Sequence, residues 1–233
     1  MGVFKAVIFD LFYTLINPLA PEFMADSEYA VLGMTREDFE GRNAVDYEVR
    51  AGGAIRDPVE MIRHILRGLD LSDELIRRAA DARLERIRRG LFGVEEKNLV
   101  LLQQLRAAGI KTALVSNADI CDVWYWKESP LASCFDETVF SCDVGILKPD
   151  PRIYALVLER LGLPPDVCLF VGDGGHKELR GAREAGLHTA LTVEYITNLW
   201  PEKIPALKLQ ADHVIENLEH LGKIVKWRNY GPY

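Results

Sequence analysis

The sequence has few cysteines, and their spacing gives them no joint role. The four are Cys121, Cys134, Cys142 and Cys168; none belongs to a C-x-x-C pair, and Cys168 lies inside an apolar run. Disulfide-rich secreted domains need cysteines in a regular framework, so this pattern is typical of a reduced, intracellular chain. We therefore expect a cytoplasmic protein.

An excess of positive charge and a long hydrophobic run are also lacking. The 233 residues include 28 Lys and Arg against 35 Asp and Glu, a formal net charge of -7. Nucleic acids and anionic membranes attract proteins with a dominant positive field, so we expect neither as a partner. The apolar stretch at residues 6–16 is interrupted by Asp10, carries no small-residue cleavage pattern and is too short to cross a bilayer.

Two common nucleotide-binding motifs are incomplete or missing. The glycines around Asp173 begin a G-x-G-x-x-G pattern, but Lys177 stands where the third glycine should be. No Walker A sequence occurs either. Nucleotide binding of these two kinds is therefore disfavoured.

Four apolar runs rich in β-prone residues predict strands that are buried on both faces. They are residues 6–9, 111–115, 167–171 and 188–192. Helical patterns at residues 95–108, 151–161 and 176–185 each end just before a glycine, the usual stop signal of a helix. This alternation of strands and helices predicts an α/β fold with a parallel sheet and helices on both faces.

Residues 18–92 break the alternation, because they contain three or four helical patterns and no convincing strand. We predict a core domain of residues 1–17 and 93–233 and an inserted helical subdomain of residues 18–92, called the insert below. The insert has no lysine, and its cations are arginines. Arg42, Arg50 or Arg56 could hold a substrate carboxylate or phosphate with the planar guanidinium fork, although solvated ion pairs are the commoner role.

Polar residues follow three of the predicted strands directly. They are Asp10, the pair Ser116 and Asn117, and Asp173; Lys148 lies in a loop between two predicted elements. In open parallel sheets the ligand lies beyond the carboxyl ends of the strands. We therefore expect two carboxylates, hydroxyl groups and an ammonium group to converge on one site.

Four segments, in this order, resemble the motifs of the haloacid dehalogenase superfamily. They are Phe9-Asp10-Leu-Phe-Tyr-Thr14, Val115-Ser-Asn117, Lys148-Pro-Asp-Pro151 and Val171-Gly-Asp-Gly-Gly-His-Lys-Glu178. The resemblance implies a flavodoxin-like, Rossmannoid core, a helical cap formed by the insert, and a hydrolase that uses Asp10 as a covalent nucleophile. It also implies a catalytic set of Asp10, Thr14, Ser116, Asn117 and Lys148, in which the hydroxyls hydrogen-bond the transferring group and Lys148 neutralises its charge.

The resemblance further implies a Mg²⁺ ion. Two neighbouring carboxylates such as Asp10 and Asp173 cannot both stay ionised unless a cation lies between them, and a hard divalent ion supplies that charge. The implied ligands are Asp10, the backbone carbonyl of Phe12, and Asp173. Glu178 stands where the family usually has a second Asp; it either binds the ion, directly or through water, or holds Lys148.

The sequence departs from the family's phosphatases at Phe12, where they carry an Asp that protonates the leaving group and activates water. A phenyl ring cannot do this, and losing a general acid costs about a hundredfold to ten-thousandfold in rate. Tyr13, where the family usually has Gly, is either a substitute acid or a packed hinge residue.

Three functions follow from these features. The favoured one is a Mg²⁺-dependent phosphatase that acts on a small phosphorylated metabolite. The first alternative is a metal-independent 2-haloacid dehalogenase, because members of that group have an aromatic residue at the position of Phe12, although Asp173 and Glu178 argue against it. The second is a catalytically silent binder of phosphate or a metabolite.

Overall fold

The computed structural model describes residues 4–24 and 26–226, and its centre is a six-stranded parallel sheet. The strands are β1 (Ala6–Phe9), β2 (Lys111–Ser116), β3 (Glu137–Phe140), β4 (Cys168–Gly172), β5 (His188–Thr192) and β6 (His213–Ile215). Their order across the sheet is β3-β2-β1-β4-β5-β6, which is the Rossmann order. The prediction of a parallel α/β core is confirmed. The sequence patterns missed β3 and β6, the two edge strands.

Helices flank this sheet, and others form the insert between β1 and β2. They are α1 (Glu28–Leu32), α2 (Arg36–Ala44), α3 (Tyr47–Ala51), α4 (Pro58–Ile65), α5 (Asp73–Phe92), α6 (Glu96–Ala107), α7 (Ile120–Val123), α8 (Ser141–Val144), α9 (Pro151–Leu161), α10 (Glu178–Glu184), α11 (Ile196–Leu199), α12 (Ile204–Lys208) and α13 (Leu221–Val225). The predicted helix at residues 176–185 begins later than expected, at Glu178. His176 and Lys177 have φ values of 50° and 58°, in the left-handed region that a continuing helix cannot use.

The central strand β1 separates two apolar layers. Its side chains alternate, so that Val7 and Phe9 pack in one hydrophobic cluster while Ala6 and Ile8 pack in another. Helices α6 and α13 contribute to the first cluster, and α9 and α10 to the second. Because β1 is buried on both faces, the polar residue that follows it is fixed in position at the edge of the sheet.

The insert forms five α-helices, α1 to α5, and no strand among its described residues. Thr35, Asp57 and Ser72 cap the beginnings of α2, α4 and α5 with their side-chain oxygens. A third hydrophobic cluster, with Phe39, Met61 and most other members from the insert, packs these helices together. The helical content agrees with the sequence pattern, while the division into two domains stays a prediction.

No helix within residues 4–24 and 26–226 has the length and apolar character required for a membrane span.

Candidate active site

The ends of three neighbouring strands converge on one site. Asp10 follows β1, Ser116 ends β2 and is followed by Asn117, and Asp173 follows β4. Strand β1 lies between β2 and β4, so these residues share the carboxyl edge of the sheet at the point where its strand order reverses. The convergence expected from the sequence is therefore observed.

Lys148 joins two carboxylates inside this site. Its Nζ donates to Asp10 Oδ1 at 2.5 Å and to Glu178 Oε2 at 2.5 Å, and all three side chains are buried. Burial alone would lower the pKa of Lys148, but the charges of Asp10 and Glu178 outweigh burial and raise the pKa well above its usual value. Lys148 therefore stays an ammonium group throughout the physiological range.

The site holds more negative charge than Lys148 can compensate. Burial first, and then the charge of Asp10, raise the pKa of Asp173 to about 6. The same two causes raise the pKa of Glu178. Three buried carboxyl groups thus face one ammonium group, and a divalent cation at this point would relieve their repulsion.

Asp10, Asp173 and Glu178 can each bring one carboxylate oxygen within 4.8 Å of the others, which suits a hard cation. Their oxygens are not equally free. Glu178 Oε1 accepts from Gly174 N at 3.0 Å, and its Oε2 accepts from Lys148. Only Oδ1 of Asp173 is engaged among the described residues, by Gly175 N at 3.0 Å. The donor set suits a hard cation such as Mg²⁺: Asp173 has the freer carboxylate, whereas both oxygens of Glu178 are engaged, one of them by Lys148.

Two of the remaining predicted catalytic residues, Thr14 and Asn117, contact Asp10 and Lys148. Thr14 Oγ1 donates to Asp10 Oδ2 at 3.3 Å. Asn117 accepts from Lys148 N at 2.7 Å and donates to Lys148 O at 3.0 Å, so it fixes the main chain of the lysine. Ser116 Oγ is buried without a hydrogen-bond partner among the described residues. Of this set, Thr14 and Ser116 are fully buried and do not line the cavity that lies above the carboxylates.

A cavity of about 660 Å³ lies above the carboxylates, between the sheet edge and the insert. Its floor includes Asp10, Asn117, Lys148 and Asp173. Apolar side chains form another part of the wall: Phe12, Tyr13, Pro18, Leu19, Ile87, Ile196, Trp200 and Leu207. The cavity has the size of a small-molecule site and combines apolar with charged and polar lining residues.

Of the three arginines singled out in the sequence, only Arg50 lines this cavity. Arg42 donates to the carbonyl oxygen of Arg67, and Arg56 pairs with exposed Asp143 at 3.3 Å. Sequence reasoning missed four charged wall residues: Arg83, Arg86 and Asp119, which are buried, and Asp122, which is partly buried. One available signal was the spacing of Arg83 and Arg86, which repeats the helical period of the buried residues Ala79, Ala80 and Ile87 on α5.

The site combines a buried Asp after β1, a lysine that bridges two carboxylates and an Asp after β4. Such a site can support hydrolysis through a covalent intermediate. A sequence profile of the haloacid dehalogenase-like hydrolase family matches residues 4–186, most of the chain. The chain belongs to the haloacid dehalogenase-like hydrolases. The fold and the ordered motifs predicted from the sequence are those of this family.

Relatives of the hydrolase include phosphatases and a 2-haloacid dehalogenase. It is 35% identical over 91 residues to glyceraldehyde 3-phosphate phosphatase of Methanopyrus kandleri, which is 38% of each protein. It is 32% identical over 105 residues to (S)-2-haloacid dehalogenase of Pseudomonas fluorescens, which is 45% of this chain and 44% of that one. The chain thus spans less than half the length of these curated relatives.

A solved structure extends the likeness to nearly the whole fold. The L-2-haloacid dehalogenase from Xanthobacter autotrophicus matches the hydrolase with a TM-score of 0.69, over 96% of this chain and 98% of its own, at 21% identity. At that identity the likeness concerns the fold.

Phe12 and Tyr13 of the hydrolase both line the cavity. Tyr13 has a φ of 58° and packs its ring edge against Trp200, with 4.9 Å between ring centroids. Burial, followed by the charge of Glu40, raises the pKa of Tyr13 far above its usual value of 10.0. A phenol in this state is a weak acid and is not available as a base near neutral pH, so the packing agrees with the interpretation of Tyr13 as a hinge residue.

Asp122, in the cavity wall, is expected to make the hydrolase less stable as the pH rises. Burial, and then the charge of Asp119, raise the pKa of Asp122 from 3.8 to about 6. An unfolded chain loses this proton near 3.8, so the folded state binds more protons between the two values, and the free energy of unfolding falls through that window by up to about 3 kcal/mol.

Asp122→Asn removes this titration and can still accept the hydrogen bond from Asp119 N. The urea unfolding midpoint of this variant minus that of the unchanged protein should increase as the pH rises from about 4 to about 7. A difference that is constant with pH would show that Asp122 has no raised pKa.

Proposed function

We propose that the hydrolase is a Mg²⁺-dependent phosphatase that acts on a small phosphorylated metabolite through an aspartyl-phosphate on Asp10. The observation that carries this proposal is the group of three buried carboxyl groups, Asp10, Asp173 and Glu178, around the single ammonium group of Lys148. A site of this charge favours a divalent cation, and a cation favours a phosphate substrate over a halide.

The residues have distinct roles in this reaction. An oxygen of Asp10 attacks phosphorus, and the electron pair of the breaking P–O bond goes to the leaving group. Water then attacks the same phosphorus, which releases inorganic phosphate and restores the carboxylate. Lys148 stabilises the charge on the transferring group, Thr14 orients Asp10 through its hydrogen bond to Oδ2, and Asn117 holds Lys148 in position.

Mg²⁺ held by Asp10, Asp173 and the backbone carbonyl of Phe12 would neutralise phosphate charge and allow both carboxylates to stay ionised. Glu178 acts through Lys148 in this scheme, because its two oxygens are already engaged. The insert serves as the cap of the site, since its residues form much of the cavity wall opposite Asp10.

The lack of an acidic side chain at the position of Phe12 narrows the range of substrates. A leaving group that departs from phosphorus without a proton does not require an Asp at the position of Phe12. Acyl phosphates and aryl phosphates have such leaving groups, whereas alkyl phosphates do not. We therefore propose small metabolites with an acidic leaving group as the preferred substrates.

The test is release of inorganic phosphate from acetyl phosphate and p-nitrophenyl phosphate, each with Mg²⁺ and with EDTA. Release with Mg²⁺ that EDTA abolishes is the expected result. Release that is equal in EDTA would contradict the metal requirement. If thermal stabilisation by Mg²⁺ plus phosphate occurs without turnover of any phosphate ester, the protein is a silent binder and the proposal fails.

One observation favours a second candidate, a 2-haloacid dehalogenase. The cavity presents an aromatic ring at Phe12, and a departing halide needs no proton. A 32% identical relative is named (S)-2-haloacid dehalogenase. Chloride release from 2-chloropropionate that persists in excess EDTA would establish this activity in place of the phosphatase.

Phe12→Asp is expected to speed the turnover of alkyl phosphates. The side chain at this position lines the cavity next to Asp10, so a carboxyl group there can protonate the leaving oxygen. We expect kcat/KM for an alkyl phosphate to rise about tenfold to a hundredfold, and that for acetyl phosphate to change little. Phe12→Asn, which has similar polarity but no titrating proton, is the control. An equal gain in both variants would mean that the added polarity, and not acid catalysis, is responsible.

A further inference from the structure

A buried core carboxylate receives two arginines from the insert at the wall of the cavity. Asp119 Oδ2 accepts from Arg50 Nη1 at 2.9 Å and from Arg83 Nη2 at 2.7 Å. The three side chains are only 2%, 1% and 5% exposed, respectively. Arg50 lies on α3 and Arg83 on α5, whereas Asp119 caps α7 just after β2. The contact therefore joins the insert to the core.

The two guanidinium groups are largely engaged by protein partners, which disfavours a direct role in binding substrate. Arg50 Nη2 donates to the main-chain oxygen of Asn43, and Arg83 Nη1 donates to Asn43 Oδ1 at 3.2 Å. Burial lowers the pKa of Arg50, and the neighbouring charge of Arg83 lowers it further. The two cations thus repel each other, and Asp119 is the anion that both contact directly.

The position of Asp119 links this contact to the catalytic loops. It stands two residues after Asn117, which fixes the main chain of Lys148. On the same helix as Arg50, Tyr47 stacks on His176 of the loop after β4, with 4.9 Å between ring centroids and 13° between ring planes. Helix α3 thereby contacts the loops that follow both β2 and β4. The insert is held against the two loops that carry Asn117 and Asp173.

A second ion pair between the insert and the core differs from this contact in its exposure to solvent. Arg56 and Asp143 lie 3.3 Å apart with 54% and 57% of their side chains exposed, so solvent screens them. The buried contact at Asp119 depends much more on its charges, since removing one partner leaves the others uncompensated. The free-energy cost of removing water from buried ions roughly balances the attraction between them. The contact can therefore open and re-form.

We propose that Asp119 is a positioning residue: with Arg50 and Arg83 it forms a reversible latch that holds the insert closed over the catalytic loops. The kinetic part of this proposal rests on the proposed phosphatase function. The latch itself depends only on the charges at the interface, so it can be tested without any substrate.

Asp119→Asn keeps the shape of the side chain and the helix cap but removes the anion that Arg50 and Arg83 share. Asp122, 3.5 Å from Arg83 Nη2, then stays as the carboxylate beside Arg83, and Arg50 loses its direct anionic partner. The closed population should fall, so substrate binding must restore closure. We expect KM for acetyl phosphate to rise about tenfold, with kcat within about threefold of the unchanged protein. Without substrate, hydrogen exchange should become faster in α3 and in residues 117–123. A loss in kcat with unchanged KM and unchanged exchange would overturn the latch.

Glu28→Gln is the matched control, because Glu28 and Arg86 form a buried pair at 2.6 Å that lies wholly within the insert. It should lower thermal stability without raising KM or speeding exchange in residues 117–123. Adding Arg83→Gln to Asp119→Asn removes one of the two cations that repel each other and should recover part of the lost affinity. Equal effects of Glu28→Gln and Asp119→Asn on KM and exchange would mean general destabilisation and would refute the proposal.

Two further results distinguish a failure of the latch proposal from a failure of the proposed phosphatase function. If the protein shows no phosphatase activity but Asp119→Asn alone speeds exchange at α3 and residues 117–123, the latch stands and the proposed function fails. If Asp119→Asn does not fold, Arg50→Lys keeps the charge and loses the planar fork; it should give the same exchange pattern at smaller amplitude, and unchanged exchange in that variant would refute the latch.

Discussion

Asp10→Asn is expected to abolish turnover and leave the fold intact. An amide oxygen is a poor nucleophile, so the covalent step is lost, and we expect kcat to fall by at least about ten-thousandfold. The amide has the shape of the carboxylate, and its oxygen can still accept from Lys148 Nζ. Phosphate release measures the first effect, and circular dichroism with urea unfolding measures the second.

The matched control for this variant is Asp143→Asn. Asp143 is an exposed residue of the core whose partner, Arg56, is also exposed. Full activity is expected there, since surface ion pairs contribute little to stability. Appreciable turnover by a folded Asp10→Asn protein would rule out Asp10 as the nucleophile.

Lys148→Met should destabilise the protein strongly as well as inactivate it. The substitution leaves the carboxyl groups of Asp10 and Glu178 buried with no cation beside them. Breaking a buried ion pair by removing one partner typically costs about 3–5 kcal/mol in unfolding free energy. Urea unfolding at neutral pH without added metal measures this loss.

The double variant Lys148→Met with Glu178→Gln tests the electrostatic cause. Removing the second charge should recover much of the lost stability, because only Asp10 and Asp173 then remain to repel each other. Activity should stay absent. If the double variant is no more stable than Lys148→Met, the loss comes from packing around the lysine stem and not from uncompensated charge.

The central sheet could be predicted because its two middle strands, β1 and β4, contain no charged residue. Strand β1 and strand β4 are fully buried, so their sequences show uninterrupted β-prone runs. The edge strands carry weaker signals. Strand β3 has two half-buried residues, and β6 has three residues with one exposed, so neither shows a continuous apolar run.

The convergence of residues at the candidate active site could be predicted for a related reason. Asp10, Ser116 and Asp173 each stand at the end of a buried strand, and parallel strands bring such residues to one edge. The pairing of Glu178 with Lys148 was one of several alternatives in the sequence, and the structure adds the distances that favour it.

The wall of the cavity could not be deduced in the same way. Arg83 contacts Asp119 across 36 residues of chain, and Arg50 does so across 69. Such pairs arise from the packing of the insert on the core and leave no local pattern. Arg42, Arg50 and Arg56 look alike in the sequence, yet only Arg50 is buried at the site.

Because Phe12 is not an acidic residue, the covalent intermediate of the proposed reaction should break down slowly. In the family's phosphatases the Asp at this position also activates the attacking water, and Phe12 cannot. Hydrolysis of the aspartyl-phosphate should therefore be slow relative to its formation from an acyl phosphate, and the intermediate should accumulate.

The most direct test of the mechanism is acid quenching of the protein with ³²P-labelled acetyl phosphate and Mg²⁺, followed by mass spectrometry of its peptides. The mechanism predicts a transient phosphoryl group on Asp10 that is absent with EDTA and absent in Asp10→Asn. Turnover of acetyl phosphate without a phosphorylated Asp10, or with the label on another residue, would contradict it.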